Sequence, residues 1–417
     1  MTSTTSPSSI PATPRVCPFS GTLDYPLRRD PARPFDLPEA ITWLRHEQPI
    51  ARVRLWDGNL AWLLTRMDDV RAVLGDDRFS NGATHENYPT WSAAVKAQKT
   101  TSASFLRKDK PEHTVERRLW QAFFTPANIA ALKPHIQRLV DRAIDAMIAA
   151  GQPANLCATL APAVPTGVIS KLLAVPDEDL PFIQWVGVTR TSITSTREEV
   201  QKALTDLHAY WLRRIDERLA HPGDDLVSQI ITNEVKTGRI SRDNLASMCI
   251  LIVLAGFGTT ADMIGLGSLM LLQHPATLAR FKADPDSLPV ILDEILRYTS
   301  IAQHGLARVA LEDVEIGGVT IRKGEGVIAH LASANRDEAL FAAPDVFDDQ
   351  RGTRFHVAFG SGPHVCIGAP LARAELQIVF ETLFRRLPAL RIADRPDAIE
   401  YRLDSLFLGL EKLLVEW

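Results

Sequence analysis

A cysteine stands in a glycine-rich segment close to the C-terminal end of the chain. Cys366 lies in FGSGPHVCIG, residues 359–368, and a run of helix formers, IGAPLARAELQIVFETLF, follows it directly. This predicts a thiol just before a helix N-terminus, where the helix dipole and free backbone N–H groups favour a thiolate. The small residues allow the backbone to approach a flat ligand closely. A thiolate in this setting can serve as an axial ligand to haem iron.

Three other roles for this cysteine are open on the residues alone. A buried structural cysteine is common, but a loop around it rarely needs so much glycine. A zinc site would need several ligands at short spacing, and His356, His364 and Cys366 match no usual zinc pattern. A nucleophilic cysteine with a histidine base is the third alternative.

Haem adds a requirement for cations, because its two propionates are anionic. The segment PEHTVERR places His113 and Arg117 four residues apart, on one face of a helix if this stretch is helical. Arg308 lies near an expected strand, and His364 lies two residues before Cys366. Each of these side chains alone is more often a solvated charge. They are candidates for binding the propionates because they occur together with the cysteine loop.

A second charged pattern occurs in DEILRY, where Glu294 and Arg297 are three residues apart. One interpretation is an exposed helical ion pair of small energy. The other is a buried pair, joined by Arg351, that clamps the segment carrying the cysteine loop. The apolar neighbours in this helix, such as Ile291 and Leu296, favour burial.

Composition gives the broad class of the protein. The chain has 417 residues, 46% of them apolar, and a net charge of −4, which gives no indication of nucleic-acid binding. The four cysteines are far apart, as in proteins of a reducing compartment. Residues 1–15 are rich in Ser, Thr and Pro and predict a flexible arm, without a signal peptide or membrane anchor. We therefore expect a cytoplasmic, soluble protein with one domain over residues 16–417 and no membrane association.

The most apolar stretch, residues 248–272, is long enough to cross a bilayer. Asp262 lies at its centre, and interfacial aromatic or basic anchors are missing from its flanks. These features favour a helix buried in a soluble domain, with Ser241 as its N-cap and His274-Pro275 as its end.

The rest of the chain predicts a mainly α protein with minor β structure. Helical periodicity is found in five further segments: 128–150, 198–220, 275–283, 288–299 and 369–387. Hairpins are predicted around Asp57-Gly58 and Gly317-Gly318. No strand is followed by G-x-G-x-x-G, so a doubly wound nucleotide-binding sheet is not expected.

Taken together, these motifs resemble the cytochrome P450 superfamily of haem-thiolate proteins, of the soluble bacterial type. The signature F-x-x-G-x-H-x-C-x-G is met from Phe359 to Gly368, E-x-x-R at Glu294 to Arg297, and A-G-x-x-T at Ala255 to Thr259. Its sequence also resembles the fungal nitric oxide reductase cytochromes. The resemblance covers nearly all of the chain after residue 15.

The resemblance implies a mainly α cytochrome P450 fold, with small β-sheets and haem b between the long central helix and the cysteine helix. It implies Cys366 as the iron ligand, Phe359 near the sulfur and Thr259 facing oxygen. It also implies that four side chains contact the propionates: His113, Arg117, Arg308 and His364. The implied reaction is hydroxylation or epoxidation of a small hydrophobic substrate with O2, with electrons from a ferredoxin and its NAD(P)H-dependent reductase. A monomer serving secondary metabolism is expected.

One position departs from the family pattern. An acid usually precedes the threonine, but here that place is Gly258, and Gly256 lies two residues earlier. Two glycines in a helix predict a local kink or a widened groove. Asp262, four residues after Gly258, could act through water as the relay carboxylate; it could equally be an acid paired with another residue.

The same departure supports an alternative function, an NADH-dependent nitric oxide reductase of the same fold, which needs no scission of dioxygen. A haem-thiolate sensor is a third class, and it would need a further domain to receive its signal. Four apolar residues are expected in the pocket lining: Leu254, Ile301, Ala302 and Leu306.

Overall fold

The structure is a computed structural model that describes residues 17–97, 104–192, 194–223, 225–352 and 355–417. The predicted N-terminal arm, residues 1–15, lies outside these ranges. Helices dominate, as expected. The α-helices are α1 (Glu39–Glu47), α2 (Met67–Gly75), α3 (Ala93–Ala97), α4 (Glu112–Gln121), α5 (Pro126–Ala150), α6 (Leu160–Leu173), α7 (Leu180–Thr191), α8 (Arg197–Ala220), α9 (Leu226–Ile230), α10 (Arg242–Gln273), α11 (Pro275–Ala283), α12 (Leu288–Thr299), α13 (Leu331–Ala334) and α14 (Ala369–Arg386).

The strands are short and form small sheets. They are β1 (Leu23–Asp24), β2 (Ile50–Arg54), β3 (Leu60–Leu64), β4 (Phe79–Ser80), β5 (Ala154–Asn155), β6 (Leu306–Ala310), β7 (Val314–Ile316), β8 (Val319–Ile321), β9 (Gly326–Ala329), β10 (Arg391–Ile392), β11 (Tyr401–Arg402), β12 (Gly409–Leu410) and β13 (Leu414–Glu416). The largest sheet has the order β1-β2-β3-β9-β6-β4. Both predicted hairpins form: β2 pairs with β3 around Asp57-Gly58, and β7 pairs with β8 around Gly317-Gly318.

The long helix α10 begins and ends where the sequence predicts. The hydroxyl of Ser241 accepts a hydrogen bond from the N–H of Asn244 at 3.0 Å, and α11 begins at Pro275 directly after His274. Its length and composition would allow a membrane crossing. Within this fold, however, its residues contribute to both large hydrophobic cores, packed against α6, α8 and α14. It is therefore a core helix, as predicted.

The two glycines of α10 do not interrupt the helix, which remains α-helical from Arg242 to Gln273. A Cβ atom at Gly256 would lie 2.5 Å from Cδ1 of Ile169 in α6, so this glycine permits close helix packing. A Cβ atom at Gly258 would meet no atom within 4 Å among the described residues. The first glycine thus reflects packing rather than the expected kink, and the second borders open space.

The charged pair in α12 is buried, and this confirms the second of the two interpretations. The guanidinium of Arg297 donates to both carboxylate oxygens of Glu294, each at 2.7 Å, and both side chains are at most 1% exposed. Arg351 donates to the same carboxylate at 3.3 Å. Arg297 also donates to the carbonyl of Asn335, whose side chain accepts from the N–H of Val357 just before the cysteine loop. The pair therefore holds the segment that leads into that loop.

Candidate functional site

The cysteine loop turns sharply before α14. Gly360 and Gly362 have φ angles of +76° and +71°, a region of backbone conformation that favours glycine. A Cβ atom at Gly362 would also collide with the carbonyl oxygen of Leu74 at the end of α2. The N–H of Cys366 donates to the carbonyl of Phe359 at 2.9 Å, which closes the loop. The two glycines therefore allow the sharp turn, and Gly362 also allows the loop to pack closely against the end of α2.

The thiol of Cys366 does not have the lowered pKa that its position before a helix predicts. Cys366 is accessible to solvent, but protein atoms surround its thiol on most sides, and this burial raises the pKa of the thiol. The backbone N–H groups of Gly368 and Ala369 and the guanidinium of Arg117 act in the opposite direction. The backbone N–H groups favour the thiolate, as the sequence predicts. Burial of the thiol, however, raises its pKa by more than these groups lower it.

The four predicted cationic side chains converge beside this loop. His113 and Arg308 are each only 3% exposed. The rings of His113 and His364 lie 4.1 Å apart, measured between centroids. Arg117 donates from Nη2 to the carbonyl of Val365 at 2.7 Å, one residue before the cysteine. Residues from α4, β6 and the cysteine loop thus meet in one place.

This cluster is rich in positive charge and has unused donors. Among the described residues, neither ring nitrogen of His113 has a hydrogen-bond partner, nor has Nη2 of Arg308. The pKa of Arg308 is lowered to about 10, mainly by burial, and that of His364 is lowered to about 3 by burial together with the neighbouring cations. A buried cluster of this kind suits an anion that brings charge and acceptor oxygens. Haem would bring two propionate carboxylates to this cluster and an iron to the neighbouring cysteine. The residues present therefore fit that group.

Sequence reasoning missed the residue that organises this cluster. Oδ1 of Asn81, just after β4, accepts hydrogen bonds from Nη1 of Arg308 at 3.0 Å and Nη1 of Arg107 at 3.4 Å. The hydroxyl of Tyr88 donates to the same oxygen at 3.1 Å. Nδ2 of Asn81 lies 3.5 Å from Nδ1 of His364. Its partners are up to 283 positions away in the chain, so no local pattern marks it.

Phe359 and Arg373 pack together on the α14 side of the loop. The guanidinium carbon of Arg373 lies 4.6 Å from the ring centroid of Phe359, a cation–π geometry. The same guanidinium donates to Asp293 of α12 at 2.9 Å. Phe359 is therefore fixed between α12 and α14 and linked through its carbonyl to the N–H of Cys366.

Thr259 and its neighbours form an accessible face in the middle of α10. The hydroxyl of Thr259 donates to the carbonyl of Ala255 at 2.8 Å. Ala255 is exposed although Ile252 and Val253, on the preceding turn, are buried. Gly258 opens onto the same face. A side chain that already bonds its own helix can rotate to bond a ligand instead.

Asp262 has a partner that the sequence did not reveal. It forms an ion pair with Nη2 of Arg402 in β11, and its side chain is 12% exposed. Burial raises the pKa of Asp262 to about 7, while the charge of Arg402 and its hydrogen bond act to lower it. The paired-acid interpretation therefore has a named partner, and Asp262 is an acid whose protonation changes near neutral pH.

Comparison with known proteins decides the family. The family model described as Cytochrome P450 matches residues 166–390. The chain belongs to the cytochrome P450 family. Cytochrome P450-SU2 from Streptomyces griseolus is 41% identical over 95% of this chain and 97% of its own length. Pentalenic acid synthase from Streptomyces avermitilis is also 41% identical, over 93% of this chain and 96% of its own.

Solved structures give the same result for the fold of this cytochrome P450. The crystal structure of mycinamicin VIII C21 methyl hydroxylase from Micromonospora griseorubida matches with a TM-score of 0.90 and 37% identity. The match covers 95% of this chain and all of that one. The predicted mainly α cytochrome P450 fold is thus confirmed.

Membership of the family establishes the general activity. The protein is a haem-dependent cytochrome P450 monooxygenase, an oxidoreductase that acts on organic substrates and uses a cysteine thiolate as the axial ligand of its haem. Its bacterial relatives include enzymes named for hydroxylation. The alternative function, reduction of nitric oxide with NADH, receives no support from these comparisons.

Proposed function

We propose that Cys366 is the iron ligand of haem b in this chain and that four side chains bind its propionates: Arg117 and Arg308 as cations, and His113 and His364 as neutral N–H donors. The unpartnered nitrogens of His113 and Arg308 support this assignment. Phe359 would support the loop through its carbonyl and its stacked ring. When bound, haem with a thiolate ligand supplies the activation of O2 for insertion of one oxygen atom into the substrate.

The substrate we propose is a small hydrophobic organic molecule. Leu254 of α10 and Leu306 of β6 are half-buried, as are Ile301 and Ala302 before β6, so each can present apolar surface. Most ligand pockets are lined by such side chains, with few polar groups. The relatives carry names that refer to pentalenic acid and to mycinamicin VIII, two different molecules. The apolar lining therefore indicates the chemical class of the substrate.

We propose a ferredoxin and its NAD(P)H-dependent reductase as the source of electrons. Support comes from the similarity to soluble bacterial cytochromes P450 over nearly the whole chain. For the same reason we propose a cytoplasmic monomer with one domain over residues 16–417. Size-exclusion chromatography of the purified protein tests the monomer.

Spectroscopy and turnover together test the proposed function. The reduced protein with carbon monoxide should show the thiolate-type Soret band, and Cys366→Ser should lose it. With a surrogate ferredoxin, its reductase and NADPH, a compound panel should include molecules that shift the spin state and are then hydroxylated or epoxidised. Rapid NADH oxidation with nitric oxide, without ferredoxin and without any oxygenated product, would contradict the proposal.

For proton supply we propose Thr259 and Asp262. Thr259 carries a hydroxyl on the accessible face of α10, and Asp262 follows one turn later with a pKa of about 7. A general acid works best when its pKa lies near the working pH. Water would connect the two, since no acid occupies position 258.

The variant Asp262→Asn tests this role in proton supply. It should consume NADPH with less product per equivalent, because oxygen would be reduced without transfer to the substrate. Coupling is measured as the ratio of product to NADPH consumed. A coupling ratio equal to that of the wild type would exclude Asp262 from proton supply.

A further inference from the structure

The ion pair between Asp262 and Arg402 joins α10 to the hairpin of β11 and β12. Gly409 in β12 lies directly against this pair, and a Cβ atom there would collide with both the guanidinium and the carboxylate. Nε of Arg402 is buried, without a hydrogen-bond partner among the described residues. The guanidinium therefore lies between helix and hairpin, although the side chain is still 31% exposed, and Asp262 supplies its charge partner.

The loop of this hairpin, residues 403–408, is bonded to the segment that precedes β6. The N–H of Leu408 donates to the carbonyl of Ile301 at 2.8 Å. Gln303 donates from its backbone N–H to the carbonyl of Leu406 at 3.2 Å, and from Nε2 to the carbonyl of Ser405 at 2.8 Å. These bonds fix the loop on Ile301, which we assign to the pocket lining, and on Gln303, two residues later.

Two isolated β-bridges extend this attachment. Ala302 pairs with Phe407, and Ser192 pairs with Ser405. Ser192 is the C-cap of α7, a helix that packs against α10 near Leu254. The loop thus lies between the end of α7 and the segment before β6, and the ion pair stands at its base.

The charge of Asp262 is set by few neighbours. Arg402 of β11 favours the carboxylate, and Glu411, just after β12, opposes it. Cys157, after β5, also faces this region, but burial raises the pKa of its thiol to about 12, so it is uncharged at neutral pH. Arg402 is therefore the cation that favours the ionised form of Asp262.

We propose that the Asp262–Arg402 pair is a latch that holds the loop of residues 403–408 against the substrate pocket, and that Arg402 is a positioning residue for substrate binding. The latch closes when Asp262 is ionised and loosens when it is protonated. The inference depends on the proposed function only where it names the pocket. It assigns Asp262 a mechanical role that is separate from proton supply.

Hydrogen exchange of the holoenzyme tests the latch directly. In Arg402→Gln, amides of residues 403–408 should exchange at least about tenfold faster than in the wild type, while Arg402→Lys should retain most of the protection. A matched control is Arg395→Gln, because Arg395 is paired with Asp397 but is largely exposed. Equal protection of the loop in Arg402→Gln and the wild type would overturn the proposal, as would equal loosening in the control.

The pH dependence gives a readout that a merely structural contact would not show. After correction for the intrinsic exchange rate, the protection of the loop in the wild type should fall several-fold between pH 8 and pH 6. In Asp262→Asn it should be low at both values. A wild-type protection that does not change with pH would contradict the latch. Asp262→Asn also serves if Arg402→Gln fails to fold.

Ligand binding completes the test with a probe that needs no turnover. We expect 4-phenylimidazole, titrated by absorbance, to bind several-fold more weakly to Arg402→Gln than to the wild type and Arg402→Lys. Equal affinities would remove the link between latch and pocket. If these differences appear while no organic substrate is oxidised, the latch stands and the proposed function fails.

Discussion

Gly256 and Gly258 are two positions apart in α10 but have different surroundings. The first allows Ile169 of α6 to approach the helix backbone, and the second borders open space. Both have the entropic cost of glycine in a helix, which is about 1 kcal/mol relative to alanine. Only Gly256 has a packing reason visible in the structure. From the sequence alone, the surroundings of the two glycines could not be distinguished.

Alanine at these two positions should therefore change stability in opposite directions. Gly258→Ala should raise the free energy of unfolding by up to about 1 kcal/mol, since the new methyl group has no described protein atom within 4 Å and the helix gains propensity. Gly256→Ala should lower it by roughly 1–3 kcal/mol, because its Cβ would overpack Ile169. Urea unfolding followed by tryptophan fluorescence measures both. The same sign for both variants would contradict this account.

At the scale of elements, α12 acts as the support for the cysteine loop. Its Glu294 and Arg297 are buried, and Arg297 donates to the carbonyls of Asn335 and Pro344 as well as to Glu294. Asp293 on the same helix accepts from Arg373 of α14. The helix therefore connects the segment before the loop with the helix after it.

Removal of Arg297 should be costly because it takes two of the hydrogen bonds from the buried carboxylate of Glu294 and leaves it with the longer contact to Arg351 and the N–H of Asp348. We expect Arg297→Ala to lower the free energy of unfolding by about 3–5 kcal/mol and to reduce haem retention, measured as the ratio of Soret to 280 nm absorbance. The exposed Arg395→Ala should change the free energy by no more than about 0.5 kcal/mol. Similar losses in both variants would argue against a special role for the buried pair.

Elements could be predicted from the sequence better than the contacts between them. Ser241 and Pro275 mark the ends of α10 by local chemistry, and Asp57-Gly58 marks a hairpin in the same way. The cysteine loop was also recognisable, because its glycines are confined to a short segment. Arg402 was missed since it lies 140 positions from Asp262, and the pairing arises only from the packing of β11 on α10. The raised pKa of Cys366 was missed because burial is a property of the whole fold.

The whole molecule encloses several histidines in uncharged form. Burial, helped by the nearby charge of Arg29, lowers the pKa of His304 to about 4 and that of His330 to about 3. The unfolded chain binds protons on these groups near pH 6.5, whereas the folded protein does not. The unfolded state therefore takes up more protons over the interval from about pH 6.5 to about pH 4.

Stability should consequently fall as the pH drops through this interval. His304 alone contributes roughly 3 kcal/mol of stability above pH 6.5 that is lost on approach to pH 4. His304→Gln should show a shallower decline in urea midpoint between pH 6.5 and pH 4.5, whatever its absolute stability. His221→Gln, at an exposed position, should keep the wild-type slope. Identical slopes in all three proteins would refute this assignment.

The side chains that cluster beside the cysteine loop are far apart in the sequence, and this has a consequence for how the protein is made. Asn81 comes early in synthesis, whereas its partners Arg308 and His364 emerge more than two hundred residues later. A nascent chain that ends before position 308 holds Arg107, His113 and Arg117 but lacks Arg308, His364 and the thiol of Cys366. Such non-local contacts form slowly, because a long loop must close before they contribute. If these residues hold the haem as proposed, we expect cofactor loading to follow synthesis of the segment that contains Cys366.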